Sequence, residues 1–280
     1  MNEDALKAKI QMAAQSTDLL FNEVFHRLVM ERFLARVSLS PQCPSFIFKG
    51  GFLLSRYLDL GRDTRDLDFL AIRIEAERSN IESHLRGISS TSVEDGFNFE
   101  LKRISELKHT HMNYPGFSAS FLVSFGKLKE HLEIDIGFGD VVGQVQLPVK
   151  LMRGLGRAIF EDEISLFVYP AESILAEKLQ TVVFRADKNS RMKDYYDIFR
   201  LLNSSVLSNE KVTSAIRVTF EHRQTNIGLL PLRFSEAEFE QLQKYWSAFH
   251  RGLRSKEDIP KQICAVVDFI NLELKKLGLG

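Results

Sequence analysis

The feature that most limits this fold is a change of hydrophobic period at Pro170. Before it, short β-branched and aromatic runs are bounded by turn residues, the pattern of strands. After it, apolar residues recur at helical spacing almost to the end. Such a chain is of the α+β class, an N-terminal α/β half followed by a helical half. The join falls near residues 155–170, so residues 1–160 are expected to form one domain and residues 161–280 a second. No internal repeat is visible, and no linker is rich enough in Gly, Ser or Pro to hold the halves far apart.

Thr17 or Asp18 is positioned to cap a first helix over residues 18–37, with Leu20, Val24, Leu28 and Phe33/Leu34 on one buried face. A short strand over residues 46–48 enters Lys49-Gly50-Gly51, and a short helix is expected over residues 52–58. Strands are expected over residues 66–74, 97–104, 118–125 and 131–138, with a helix over residues 75–86. Residues 145–151 and 164–169 read as further strands. Helices are expected over residues 170–185, 191–202 and 260–276, and Ser235 to Glu238 form a capping-box pattern before another.

Net charge narrows the partners. The chain carries 37 basic and 37 acidic side chains, so no global field holds nucleic acid and any such contact needs a local patch. Two such patches stand out: Arg185, Lys188, Arg191 and Lys193, and Lys150, Arg153 and Arg157. Either could follow an RNA backbone or be a solvated loop. Phe accounts for 22 residues against 6 Tyr and 1 Trp, which points to a ring-rich core. Cys43 and Cys264 lie far apart and fit two reduced thiols of a cytoplasmic protein. The first 18 residues lack a signal-peptide apolar run, and no membrane-spanning stretch is present.

The chemistry concentrates in Lys49 to Phe69. Asp66 and Asp68 lie two apart, so on a strand both carboxylates share one face. Like charges so close repel unless a cation lies between them, and hard oxygen ligands suit Mg²⁺. A solvated pair on an edge strand is the plain alternative. Gly50 and Gly51 open a helix after a strand, where backbone N–H groups can meet a phosphate; a tight turn would use the same glycines. Arg62, Thr64 and Arg65 flank the carboxylates. A third acid would complete a two-metal arrangement, and Asp135 fits better than Glu133 because it sits within an alternating run. Further on, Lys178 and Arg185 share a helix face, as do Lys193, Asp194 and Asp197; weak surface ion pairs would explain the second set equally well. The seven histidines, including His109 and His111, form no metal-ligand pattern.

Together these blocks resemble the nucleotidyltransferase AbiEii/AbiGii toxin family, which includes the MenT toxins. The resemblance rests on Lys49-Gly50-Gly51, then Arg62-x-Thr64-x-Asp66-Leu67-Asp68-Phe69. Ala176-Glu177-Lys178-Leu179 follows with Arg185, then Arg191-x-Lys193-Asp194-Tyr195-Tyr196-Asp197-Ile198. It implies a DNA-polymerase-β-like nucleotidyltransferase core with a mixed sheet, plus a C-terminal helical domain. It also implies Mg²⁺-dependent transfer of a nucleotide from an NTP to an RNA acceptor, the 3′ end of tRNA, with a cognate antitoxin protein as partner. In that scheme Gly50 and Gly51 hold phosphate, Asp66 and Asp68 bind metal, Lys178 meets triphosphate, and Asp194 or Asp197 completes the site. One position departs: Phe52 stands where the family places Ser or Thr, which removes a hydroxyl donor. Two other readings keep the same fold: a protein-modifying nucleotidyltransferase, and a catalytically weak nucleotide- or partner-binding module.

Overall fold

A computed structural model describes residues 1–17, 19–107, 116–140, 142–256 and 258–280. Asp18, His109 and His111 lie outside the described residues. The chain divides into two compact units: residues 1–56, 64–139 and 144–169 form one, and residues 57–63, 140–143 and 170–280 the other.

The first unit is built from α1 (Glu3–Thr17), α2 (Phe21–Leu39), β1 (Phe46–Lys49), α3 (Gly50–Tyr57), β2 (Asp66–Ala71), α4 (Arg78–Ser89), β3 (Asn98–Leu107), β4 (Gly116–Phe125), β5 (Leu128–Gly137), β6 (Val145–Lys150), β7 (Arg153–Gly154), β8 (Arg157–Ala158) and β9 (Glu163–Val168). Seven strands form one sheet in the order β3-β4-β5-β2-β1-β9-β6, and β7 and β8 pair separately. The β2–β5 and β1–β9 pairs are parallel and the other pairs of the large sheet antiparallel, so that sheet is mixed.

Strict alternation sets the two faces of this sheet. On β4, Phe117, Ala119, Phe121, Val123 and Phe125 are buried, while Ser118, Ser120, Leu122 and Ser124 turn to the other side and stay half-buried. On β5, Leu132, Ile134 and Ile136 are buried, and Lys129, His131 and Glu133 are exposed opposite them. The apolar face meets α2, whose Phe33 ring lies 5.4 Å from Phe121 and 6.5 Å from Phe69. From α4, Ile81, Leu85 and Ile88 are buried, and that helix packs on β3.

Helix α2 departs from expectation in two ways. It begins at Phe21 with Leu20 as cap, whose N–H donates to Glu23 at 2.7 Å; Thr17 instead ends α1 and its hydroxyl returns to the Ala13 carbonyl. It is also buried along most of its length, and α1, for which the sequence pattern gives no expectation, packs against it. Its polar residues are therefore paired. Arg36 grips both oxygens of buried Asp95 at 2.7 and 2.8 Å, and Arg32 bonds Asp95 at 2.7 Å and also pairs with Glu161. Glu31 accepts from Arg56 and from the Met152 N–H.

The second unit contains α5 (Ala171–Arg185), α6 (Met192–Leu202), α7 (Asn209–His222), α8 (Glu236–Arg251) and α9 (Ile263–Lys276). Pro170 precedes α5 as its cap residue. The expected capping box is present: the Ser235 N–H donates to Glu238 at 2.6 Å, and the Glu238 N–H donates to the Ser235 hydroxyl. Buried Trp246 donates its indole N–H to the Pro260 carbonyl, and Phe199 and Phe269 join α6 to α9 with rings 4.7 Å apart. Helix α7, not among the helices expected from sequence, packs on α5, with Val212, Ile216 and Phe220 buried. Residues 57–63 are tied to α6: the Tyr196 hydroxyl donates to the Leu60 carbonyl, and Arg200 donates to the Asp59 carbonyl at 2.6 Å. Among the described residues no helix is long and apolar enough to cross a membrane.

Candidate active site

The site begins where β1 ends. Lys49 lies directly opposite Asp68 in the antiparallel β1–β2 register, and Asp68 lies opposite Asp135 in the parallel β2–β5 register. Partners in register project to the same face, so Lys49, Asp68 and Asp135 form one row across three strands. Asp66, two residues back on β2, shares that face. Asp66, Asp68 and Asp135 are each half-buried, and one carboxylate oxygen from each comes within 4.8 Å of the others. Three like charges this close favour a bound cation, and an all-oxygen donor set suits a hard divalent ion. Glu133, opposite Asp66 in register, is exposed and stands outside that group.

Gly50 sets the position of Asp68. It has φ +75, a conformation that side chains disfavour, and a Cβ there would fall 1.8 Å from Asp68 Oδ2. The carboxylate thus lies against bare backbone at the mouth of α3, and Gly51 continues into the helix. Phe52 turns into the core: it is 3% exposed, with its ring 6.2 Å from Phe48 and the Arg56 guanidinium 4.4 Å above it. Ser55 returns its hydroxyl to the Phe52 carbonyl at 2.7 Å. Thr64 is half-buried and Arg65 exposed, just before β2. From sequence Lys49 stands only as part of the motif Lys49-Gly50-Gly51. Its Nζ lies 4.6 Å from the centre of the buried Tyr169 ring, a cation–π contact that fixes a charge on the carboxylate face. Nothing in the residue string reveals that register.

The second unit holds its own charged group. Lys178 on α5 reaches Asp194 at 3.0 Å and Asp197 at 2.8 Å. Arg62 holds Asp197 through two bonds, Nε at 2.9 Å and Nη2 at 2.6 Å, and Arg191 donates to Asp194 at 2.9 Å. The spacing of Asp194 and Asp197 also allowed a surface ladder of ion pairs; the structure buries both, at 1% and 0% exposure. Burial disfavours the Lys178 ammonium, but the two carboxylates outweigh it and raise its pKa above the ordinary lysine value. Burial likewise opposes the Asp194 carboxylate, yet Lys178 and Arg191 hold its pKa below the ordinary range. Arg185 ends α5, and its Nε is buried with no hydrogen-bond partner among the described residues.

Of the basic patches, Arg191 is engaged with Asp194, and Arg153 with Asp162 at 2.7 Å. Cys43 and Cys264 are free, the first buried and the second exposed.

A family model described as "Nucleotidyl transferase AbiEii toxin, Type IV TA system" matches residues 32–268. No curated protein matches the chain. Among solved structures, JHP933 from Helicobacter pylori is similar at 13% identity, with 91% of each chain covered and a TM-score of 0.47. An antigenic nucleotidyltransferase-like protein from Paracoccidioides brasiliensis is similar at 13% identity, covering 74% of this chain and 96% of that one, with a TM-score of 0.34.

Proposed function

The chain belongs to the AbiEii nucleotidyl transferase toxin family, and from that premise we propose that it transfers a nucleoside monophosphate from an NTP to the 3′ hydroxyl of an RNA, a tRNA, with Mg²⁺ as cofactor. A cognate antitoxin restrains it in the cytoplasm. The observation that carries this reading is the group Asp66, Asp68 and Asp135 beside the Gly50 turn.

Asp66, Asp68 and Asp135 hold the metal. When bound, such ions acidify the acceptor hydroxyl and offset charge on the departing pyrophosphate. Gly50 and Gly51 let backbone N–H groups approach the phosphates without a side chain between. Arg65 and Thr64 offer further donors at the entry to β2. Lys178, Arg185, Arg62, Asp194 and Asp197 enter this assignment through the family resemblance; within the second unit, Arg62 and Lys178 bond to Asp197.

The test is incubation with each α-³²P-labelled NTP, Mg²⁺ and total cellular RNA, followed by a gel that separates RNA from protein. Label in a tRNA-sized band, lost with Asp68→Asn, is the expected result. Label confined to protein, or no label with any NTP, refutes it.

A further inference from the structure

The polar face of the sheet continues well beyond the three aspartates. Register carries one row from Asp68 through Asp135 to Ser118 and Ser105, and a second from Asp66 through Glu133 and Ser120 to Arg103. A register shift between Leu101 and Arg103 inserts Lys102 and keeps Arg103 on this side. Beyond the carboxylates of β2 and β5, the first row carries Ser118 and Ser105, and the second carries Ser120 and ends in Arg103. Arg103 is exposed, and neither it nor the hydroxyls of Ser118 and Ser120 have a hydrogen-bond or ion-pair partner among the described residues.

We propose that this face is the track for the acceptor, a single-stranded RNA end, with Arg103 on one of its phosphates. The proposal deepens the nucleotidyl-transfer reading and rests on it. Charge complementarity selects the occupant. Outside Glu133 beside the metal-binding aspartates, the one other acid that register places on β3, β4 or β5 of this face, Glu100, is neutralised by Lys102, while Arg103 and Lys129 supply cations with no ion-pair partner among the described residues. Serines keep the path low enough for a strand to lie close to the sheet. Glu133, an acceptor without a partner among the described residues, suits a 2′-hydroxyl or a base amino group. Asp66 and Arg103 are three strand spacings apart, about 14 Å. At ~3.4 Å per stacked nucleotide, Arg103 meets the backbone about four nucleotides from the reacting end.

The experiment is direct binding of 5′-fluorescent oligoribonucleotides to the full chain with Mg²⁺ and no NTP, so that no transfer occurs. Eight-nucleotide and two-nucleotide probes are compared for wild type, Arg103→Glu and Lys129→Glu. Both side chains are exposed, and an unchanged melting temperature checks the fold. Arg103→Glu should weaken the longer probe about tenfold, lower the salt slope by about one and leave the dinucleotide unaffected. Equal affinity for wild type and both variants, or no RNA binding by wild type, overturns the track. The labelling assay is read separately, so labelled RNA beside an unaffected Arg103→Glu rejects the track and keeps the enzyme. Arg103-dependent binding with no labelled RNA keeps the track and rejects the enzyme.

Discussion

At the scale of single residues, Gly50 and Asp68 form one device. A methyl group at Gly50 meets two penalties: positive φ, and a contact at 1.8 Å with a carboxylate oxygen. Gly50→Ala should therefore cost about 1–2 kcal/mol in chemical denaturation and weaken Mg²⁺ binding by calorimetry as Asp68 is pushed aside. Unchanged metal affinity in a folded Gly50→Ala protein would separate the two residues. Asp68→Asn should act in the opposite sense on the fold. It relieves repulsion among like charges, so metal-free stability should hold or rise while nucleotidyl transfer is lost. A variant that transfers at the wild-type rate removes Asp68 from the metal site. Lys178 is the counter-case, since it neutralises two buried carboxylates. Lys178→Met should cost about 3–5 kcal/mol, the usual penalty for stranding a buried charge. The pH signs follow from the shifts. The lowered Asp194 pKa contributes stability above its ordinary value of 3.8 that is lost as acid protonates it. The raised Lys178 pKa contributes stability below 10.5 that is lost only in strong alkali. Urea midpoints across the acid range should fall less steeply for Lys178→Met than for wild type; parallel curves would deny the coupling.

At the scale of elements, what the sequence made legible depended on whether local pattern or distant partner decided the outcome. Strands β4 and β5 were readable because alternation alone sorts Phe121 inward and Ser120 outward. The Asp66/Asp68 pairing on one face followed from the same period. That Asp135 would lie opposite Asp68 is a matter of β2–β5 register, which a choice between Asp135 and Glu133 could only anticipate through the surrounding pattern. Helix α2 shows the limit. One apolar stripe was expected, but Arg32 and Arg36 are themselves buried because Asp95, about 60 residues away, satisfies both. No spacing rule links those positions. Asp95→Ala would leave buried Arg36 with only the Arg32 and Phe97 carbonyls and Arg32 with Glu161 alone, and should cost about 3–5 kcal/mol in urea unfolding. A loss below about 1 kcal/mol would mean that water replaces the carboxylate.

At the scale of the whole molecule, the change of period at Pro170 marks where the second unit becomes continuous, although it begins earlier in the chain. Residues 57–63 and 140–143 already belong to it. From sequence the first segment starts at the end of the short helix expected over residues 52–58 and the second belongs to no expected element, because the partners of both lie on distant helices. Their bonds are specific. Arg62 takes both oxygens of Asp197, the Tyr196 hydroxyl donates to the Leu60 carbonyl, and Arg223 holds Asp140 at 3.0 Å. A cut at Pro170 removes all three at once. In residues 170–280 alone, Asp197 keeps Lys178 but loses Arg62, and Arg223 loses Asp140 while keeping Glu177 at 3.1 Å. Groups built to be paired would then sit half-satisfied in a helical core. That fragment should therefore melt without a cooperative transition by circular dichroism, although its helical periodicity is intact. Joining residues 57–63 to its N-terminus through a flexible linker should restore part of the transition by returning Arg62 to Asp197. A fragment that melts as sharply as the full chain without that segment would show that α5 to α9 fold on apolar packing alone, and that Arg62 is held at Asp197 for chemistry rather than for stability.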